Sequence, residues 1–172
     1  RRSFRFELLD GPFEIHPGVV LPAGPYSFDD WVFNVRTASH RPVSGRVRLR
    51  TGEIWSGDRS AIELALTARP YQGITATAEW EHENVDLLRG SFTTDLLRLI
   101  GSWHASPWIS LDGNVQYDTI TQIAGLYTRL RWILRPGSDF YFVYTENWQS
   151  AADRLQTLSR GATTKINYTH RF

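Results

Sequence analysis

The chain contains no cysteine among its 172 residues, which excludes a disulfide framework and a thiolate metal site. No run of about 18 apolar residues occurs, so the sequence predicts no transmembrane helix. The formal net charge is only +1, whereas nucleic-acid-binding domains normally carry a stronger basic bias. Phosphate-binding loops, GxSxG and HExxH motifs are absent, and the five histidines lack metal-ligand spacing. We therefore expect no nucleic-acid partner, no metal and no cofactor.

Aromatic residues, in contrast, are abundant. They make up 13% of the chain, with seven Trp, seven Tyr and nine Phe, although the mean hydropathy is only −0.34. A polar average with many aromatics fits a membrane β-barrel, in which one strand face meets lipid and the other lines a polar lumen. A soluble β-sandwich would give a similar average, so composition alone leaves both open.

Alternation of apolar and polar residues dominates the sequence, and helical periodicity is nearly absent. The clearest case is 109–118, where Leu111 and Val115 alternate with Asp112 and Asn114. Several alternating segments approach the roughly 9–11 residues that a tilted strand needs to cross a bilayer. The pattern predicts about ten strands, near 3–9, 31–36, 46–50, 62–67, 74–81, 97–103, 109–118, 126–134, 140–144 and 165–172.

The predicted connections also alternate in character. One set is short and rich in Pro or Gly, namely 40–45, 69–73, 105–108 and 135–138. The other set is longer and polar, namely 10–27, 82–90 and 147–160, although its members 56–59 and 118–121 are short. Short periplasmic turns and longer extracellular loops are typical of outer-membrane barrels, so we predict that topology.

Aromatic side chains lie near the ends of the predicted strands on the apolar face. Trp and Tyr favour the membrane interface, because the ring is apolar while its N–H or O–H group stays hydrated. The alternative is that these rings form the core of a soluble sandwich. The predicted aromatic girdle consists of Trp31, Trp80, Trp103, Trp132, Tyr117 and Tyr144.

The last segment ends on an aromatic residue, with Ile166, Tyr168 and Phe172 on one face of an alternating strand. A terminal aromatic residue that closes such a strand resembles the outer-membrane β-signal, the segment that the barrel-assembly machinery recognises. We therefore expect these residues to act as an assembly signal.

The opposite face of the predicted strands is charged. Arginines that face a pore can select anions, but a lumen filled by ion pairs would serve to stiffen a barrel instead. Because acidic residues nearly balance the basic ones, the ion-pair network is the favoured interpretation. The predicted lumen charge ladder consists of Arg46, Arg48, Arg50, Arg98, Arg129, Arg131, Glu63, Glu79 and Asp112.

Other candidate sites are weaker. The segment 81–83 (Glu-His-Glu) with Asp86 has the carboxylates that Ca²⁺ prefers, and so does the Asp29-Asp30 pair, but we interpret both as solvated polar segments. Ser102 and His104 share a strand face, yet no orienting acid is evident beside them. We therefore predict no catalytic residue.

The segment 126–144 (LYTRLRWILRPGSDFYFVY) resembles the near-terminal hairpin of an uncharacterised bacterial family. Segments 41–45, 81–87, 92–94 and 165–172 are similar to the same family. Its members join an N-terminal β-sandwich, similar to family-9 carbohydrate-binding modules, to a C-terminal outer-membrane barrel. The resemblance implies that this chain is the barrel part, that any sugar binding belongs to the sandwich, and that no catalytic residue can be carried over.

Together these observations predict one all-β domain over 1–172, an antiparallel up-and-down transmembrane β-barrel of about ten strands that stands alone or belongs to a larger barrel. We expect a non-enzymatic protein of the bacterial outer membrane, either a pore or the anchor of an upstream carbohydrate-binding-like domain. Its expected partners are outer-membrane lipid, the barrel-assembly machinery and a small polar solute. A soluble ligand-binding barrel with the aromatic face inside is the alternative, and an outer-membrane enzyme is a third class that lacks a visible constellation.

The chain begins Arg1-Arg2-Ser3-Phe4, with neither an initiating methionine nor a signal peptide. An exported protein needs such a signal, so we expect a processed product or a fragment.

Overall fold

A computed structural model of the chain describes residues 1–151 and 154–169. About 80% of the described residues are in strands, and none of them is in a helix. It follows that no helix of this part is long and apolar enough to cross a membrane.

The described strands form two antiparallel sheets. In chain order they are β1 (Arg2–Leu9), β2 (Phe13–His16), β3 (Val19–Leu21), β4 (Gly24–Arg36), β5 (Val43–Ile54), β6 (Gly57–Ala68), β7 (Ile74–Leu87), β8 (Gly90–Ser106), β9 (Ile109–Asp118), β10 (Ile123–Arg135), β11 (Ser138–Ala151) and β12 (Arg154–Asn167). Ten of them form one sheet in the order β1-β4-β5-β6-β7-β8-β9-β10-β11-β12, and β2 pairs with β3 in a separate hairpin. The predicted all-β, ten-stranded antiparallel architecture is therefore confirmed.

The sheet is open. Among the described residues its edges are β1 and β12, which pair with β4 and β11 and not with each other. The predicted closure into a barrel is thus not seen in this arrangement, and both edge strands present unpaired backbone groups.

The predicted difference in loop length between the two ends of the sheet is wrong. Segment 82–90 belongs almost entirely to β7 and β8, which are joined by a turn at 88–89, and most of 147–160 belongs to β11 and β12. Segment 10–27 contains the β2–β3 hairpin and the start of β4. These strand extensions are polar on both faces, as in the run 81–84, so apolar alternation could not reveal them.

The last predicted strand, 165–172, overlaps β12 only at its start. β12 begins earlier and spans Arg154–Asn167, residues 168–169 follow the strand, and 170–172 lie outside the described residues. Its alternating residues before Lys165 are mostly small or polar, and such a strand gives little apolar signal.

Two compact units can be distinguished by contacts within the chain. The first comprises Arg1–Thr37, Gly45–Leu64 and Trp80–Asp95, and the second comprises Ala38–Ser44, Ala65–Glu79 and the described residues from Leu96 onward. The first unit contains a buried apolar cluster formed by Val19, Leu21, Phe28, Ile54, Val85 and Leu87. The β2–β3 hairpin contributes the first two of these residues, so it is anchored to its unit by apolar burial.

Gly52 makes a close backbone approach in the first unit. Its φ is +149°, and a Cβ atom at this position would lie 2.3 Å from the carbonyl oxygen of Asp29 and 2.7 Å from Cα of Asp30. Because both neighbouring atoms belong to the backbone of β4, they cannot move aside cheaply. The ladder between β4 and β5 therefore requires glycine here.

Gly52→Ala is expected to lower the free energy of unfolding by about 2–3 kcal/mol, because it combines an unfavourable φ with a backbone clash. Urea titration followed by tryptophan fluorescence would measure the change. Gly101→Ala is the matched control, since a Cβ atom at Gly101 meets nothing within 4 Å, and its effect should stay within about 0.5 kcal/mol. Equal losses for both variants would contradict this account of Gly52.

Candidate functional site

An apolar face covers one side of the second unit. Trp103, Leu111, Leu130 and Phe142 lie directly opposite one another on four neighbouring strands, and so form one row across the sheet. Trp103, Leu111 and Phe142 are exposed, although such side chains are normally buried in a folded domain. Among the described residues, the unit therefore presents a continuous row of apolar side chains that are largely exposed.

The first unit has a corresponding apolar face. Phe33 of β4 lies opposite Leu49 of β5, and Val35 lies opposite Val47. All four side chains are exposed. Apolar exposure is thus a property of one side of the strands in each unit.

The boundary of this apolar face slopes across the strands of the second unit. Leu99, Val115 and Leu126 form the apolar start of a row on β8, β9 and β10. The same row continues into Glu146 on β11 and Arg160 on β12. Rows nearer the 136–137 turn stay apolar as far as Phe142 and Ile166. Within this unit, charge therefore enters the apolar face nearer that turn on β11 and β12 than on β8 to β10.

On β11 the first charged residue of this face is Glu146, which lies in the row of Leu99. The next row, formed by Leu97, Tyr117, Ala124 and Trp148, is apolar on β8 to β11.

A slope of the same sense occurs independently in the first unit. Phe4 and Phe6 of β1 lie opposite Asp29 and Ser27 of β4. On β4 the apolar residues begin only at Trp31, farther along toward Arg36. The apolar segment is therefore displaced from one strand to the next here as well.

All six predicted girdle residues lie on the apolar side of their strands. Trp31, Trp80, Trp103 and Trp132 are between 38% and 50% exposed. Two of the rings direct their polar atom to the first charged residue beyond the apolar face. Trp80 Nε1 donates to Asp95 Oδ1 at 3.0 Å, and the Tyr144 hydroxyl donates to Glu146 Oε2 at 2.6 Å. This is the amphipathic orientation that aromatic side chains take at an interface.

A polar network lies beyond the apolar face in the first unit. His82 Nδ1 is 2.8 Å from Asp95 Oδ1, and Thr93 Oγ1 donates to Asn84 Oδ1 at 2.6 Å. The hydrogen bond with His82, assisted by the one with Trp80, lowers the pKa of Asp95 below its ordinary value. Because the pKa of Asp95 is lowered on folding, the stability that these hydrogen bonds contribute is present above the pKa of Asp95 in the unfolded chain. It is lost as the pH falls through the pKa of Asp95 in the folded chain.

The polar residues around His82, interpreted above as a solvated segment rather than a cation site, are divided between the two faces of β7. Glu83 contacts Arg59 on the charged face, whereas His82 bonds to Asp95 on the apolar side of the same strand. Alternation along β7 therefore sends Glu81 and Glu83 to one face and His82 and Asp86 to the other. Within residues 1–151 and 154–169, no group of three His, Asp or Glu side chains is placed to hold a metal ion.

The charged face of the second unit carries ion pairs across neighbouring strands. Each pair joins an arginine to a carboxylate of the adjacent strand, so the local charge is compensated. The pairs are Arg98 with Glu79 (3.1 Å), Arg129 with Asp112 (2.8 Å) and Arg131 with Asp139 (3.3 Å). These contacts include five of the predicted ladder residues and bring Asp139 into the set.

The charged face of the first unit centres on Asp30. This carboxylate is 1% exposed, and its Oδ2 lies 3.0 Å from Arg59, 3.6 Å from Arg5 and 3.7 Å from Arg50. Arg59 is 8% exposed and also contacts Glu83 at 3.3 Å. The prediction that Asp30 is a solvated residue was therefore wrong, because alternation along β4 turns it to the face that carries the arginines.

The remaining ladder residues of the first unit lie on the same face of the sheet as Arg50 and Arg59. Arg48 pairs with Glu63 at 3.1 Å, and Arg46 lies on the same face of β5 as Arg48 and Arg50. Arg59 was not among the predicted ladder residues. Its position on the Glu63 side of β6 was the available signal, since residues two apart in a strand share a face.

Ser102 and His104 do meet on the charged face of β8, with Ser102 Oγ 3.1 Å from His104 Nε2. Asp112, however, hydrogen-bonds to Ser102. In a hydrolytic triad the acid must bond to the imidazole and orient it toward the serine. Here the acid bonds to the serine instead of the imidazole, so the three residues lack the geometry that activates a serine nucleophile.

The predicted assembly-signal residues are only partly described. Ile166 lies opposite Phe140 near the end of β12 and is exposed. Tyr168 follows the strand, and the guanidinium of Arg135 lies 4.7 Å from the centre of its ring. Phe172 lies outside the described residues.

Comparison with models of protein families, with curated proteins and with solved structures finds no match to this chain. The resemblance to the family with a sandwich and a barrel therefore stays a prediction. The functional conclusion depends on the two-faced geometry of the sheet.

Proposed function

We propose that the chain provides strands of a bacterial outer-membrane β-barrel, with its apolar face toward lipid and its charged face toward a polar interior. The observation that carries the proposal is the exposed apolar face with its sloping boundary. In this proposal the protein is not an enzyme. It acts as a pore or as the membrane anchor of an upstream domain.

The slope of the boundary has a simple physical explanation in a membrane. A bilayer is flat, so strands that cross it at an angle must shift their apolar segment along each successive strand. The two units show shifts of the same sense, on different strands. A soluble sheet with one buried face has no need for such a shift.

The position of buried apolar side chains supports the same orientation. The cluster of the first unit includes Phe28, which lies opposite Arg5, and so is on the charged side of the sheet. Trp103 and the other girdle tryptophans stay exposed on the opposite side. A soluble ligand-binding barrel with the aromatic face inside would require the reverse arrangement.

The proposal requires that the two sheet edges be paired in the membrane. Unpaired backbone N–H and C=O groups each cost several kcal/mol in hydrocarbon. We therefore propose that β1 and β12 pair with each other or with further strands when the barrel-assembly machinery inserts the protein.

The ion pairs favour a stabilising role for the charged face. Anion selection needs arginines whose charge is available to a passing solute, whereas Arg98, Arg129 and Arg131 each face a carboxylate. An interior held together by such pairs suits an anchor or a pore for neutral solutes better than an anion channel.

Quenching by brominated lipid would test the proposed orientation. We would prepare two single-tryptophan variants, one retaining Trp103 and the other retaining Trp55, with the remaining tryptophans replaced by Phe. Trp55 is the internal control, because it packs against the buried cluster and its Nε1 donates to Glu7 at 2.9 Å.

We expect vesicles of dibrominated phosphatidylcholine to quench Trp103 strongly and Trp55 weakly, relative to vesicles of the unbrominated lipid. Equal quenching of both residues would contradict the proposed facing. A chain that stays monomeric in buffer and does not bind to vesicles would contradict membrane insertion altogether.

A further inference from the structure

A polar cavity lies on the charged side of the second unit, beside the connection at 119–122. Its volume is about 380 Å³, which is within the range of small-molecule sites. It opens between β9, β10 and β11. The polar side chains that line it are Asn114, Gln116, Asp118, Thr121, Tyr127, Thr145 and Asn147.

The chemistry of this cavity differs from that of the surrounding face. The neighbouring rows carry ion pairs such as Arg129 with Asp112, whereas the cavity is lined mainly by neutral amides and hydroxyls. Its one carboxylate, Asp118, accepts the backbone N–H of Ile120 at 2.8 Å. The cavity therefore offers many hydrogen-bonding groups and little charge.

One lining group lacks a partner. Asn114 Oδ1 is buried and has no hydrogen-bond partner in the structure. A buried polar atom without a partner is costly, and in native proteins it calls for an explanation. A hydroxyl donor bound in the cavity would supply the missing hydrogen bond.

Two other amides are held in fixed orientations. Arg98 Nε donates to Gln116 Oε1 at 3.2 Å, so the other end of this amide is its NH₂ group, a donor. Asn147 Nδ2 donates to Ser159 Oγ at 3.0 Å. A Cβ atom at Gly125 would lie 3.0 Å from Asn147 Oδ1, so glycine leaves room for this amide. The cavity thus presents positioned donors and acceptors.

We propose that this cavity binds a neutral polyhydroxylated solute of about the size of a hexose. Hydroxyl groups both donate and accept, as the mixed amide lining requires. An anion would be repelled by Asp118, and a cation would find no second carboxylate in the lining. The inference rests on the proposed function only for the location of the cavity in a polar interior, and it deepens that function by naming the solute class.

Binding is measured on the full chain folded in detergent micelles. Saturation-transfer NMR and calorimetry are recorded with glucose, and with gluconate and glucosamine as anionic and cationic counterparts of similar size. We expect glucose to bind at least tenfold more tightly than either charged analogue. Equal affinity for the three, or no binding of glucose to the folded chain, would overturn the inference.

Variants test whether the cavity is the site. Asn114→Leu and Gly125→Ala are each expected to weaken glucose binding at least tenfold, by removing an amide and by displacing Asn147. Gly113→Ala is the matched control, since its Cβ atom would approach only the Tyr127 carbonyl oxygen, at 3.9 Å. Unchanged affinity in the first two variants would place glucose elsewhere.

The same samples separate this inference from the membrane proposal. Heat-modifiable gel mobility and lipid quenching report insertion, whereas NMR reports the solute. Membrane insertion without glucose binding overturns only the inference that the cavity binds a neutral polyhydroxylated solute. Glucose binding by a chain that does not insert into lipid vesicles overturns only the proposed membrane location, because the cavity lies within one unit. Loss of folding in Asn114→Leu would leave Gly125→Ala, compared with Gly113→Ala, to decide the site.

Discussion

Leu111→Arg is expected to abolish insertion of the chain into lipid vesicles. Leu111 is exposed in the middle of the apolar row between Trp103 and Leu130. An arginine at the bilayer midplane of a barrel costs about 2–4 kcal/mol on the lipid face. Insertion would be measured by heat-modifiable gel mobility and by protection from protease.

The matched control for this variant is Asn114→Arg, which places the same charge on the opposite face of β9. Asp112 and Gln116 are its neighbours on that face, so an arginine there finds a carboxylate and polar surroundings. We expect this variant to insert like the unaltered chain. Normal insertion of Leu111→Arg, or equal failure of both variants, would show that the faces have been assigned wrongly.

Asp30→Asn is expected to lower the free energy of unfolding by about 3–5 kcal/mol, since removal of one partner leaves buried charges uncompensated. Arg59 would keep Glu83 as its partner, but the contacts of Arg5, Arg50 and Arg59 with Asp30 would lose their negative charge. Urea titration of the detergent-folded chain, followed by fluorescence, would measure the loss.

Asp29→Asn is the control, one residue away. Asp29 also pairs with an arginine, Arg2, but the two side chains are 29% and 63% exposed. Exposed pairs contribute about 0–1 kcal/mol, so this change should be small. If the two variants were equally destabilised, burial would not be the reason for the importance of Asp30.

The parts of the fold that the sequence predicted are those where one strand face is apolar and the other polar. β9 was predicted with the bounds that the structure shows, Ile109–Asp118. The ends of β7 and β8 were missed because residues such as His82 and Glu83 make both faces polar there. Alternation reports the contrast between two environments, so it fades where both faces are hydrated.

The charged residues could be assigned to a face, but their partners could not be assigned. Arg129 meets Asp112 because those residues lie directly opposite in the ladder between β9 and β10. That register depends on the geometry of the connection at 119–122, which a single sequence does not determine. The cluster around Asp30 depends in addition on the pairing of β1 with β4 across the β2–β3 hairpin.

The meander order of the large sheet has an evolutionary consequence. From β4 onward, each strand pairs with the strand that follows it in the chain. Duplication or deletion of a whole hairpin therefore changes the number of strands by two and leaves every other ladder within its own segment of sequence. We expect such events to be the simplest route by which a gene of this kind gives rise to sheets with different numbers of strands. Selection would then act mainly on the two edge strands.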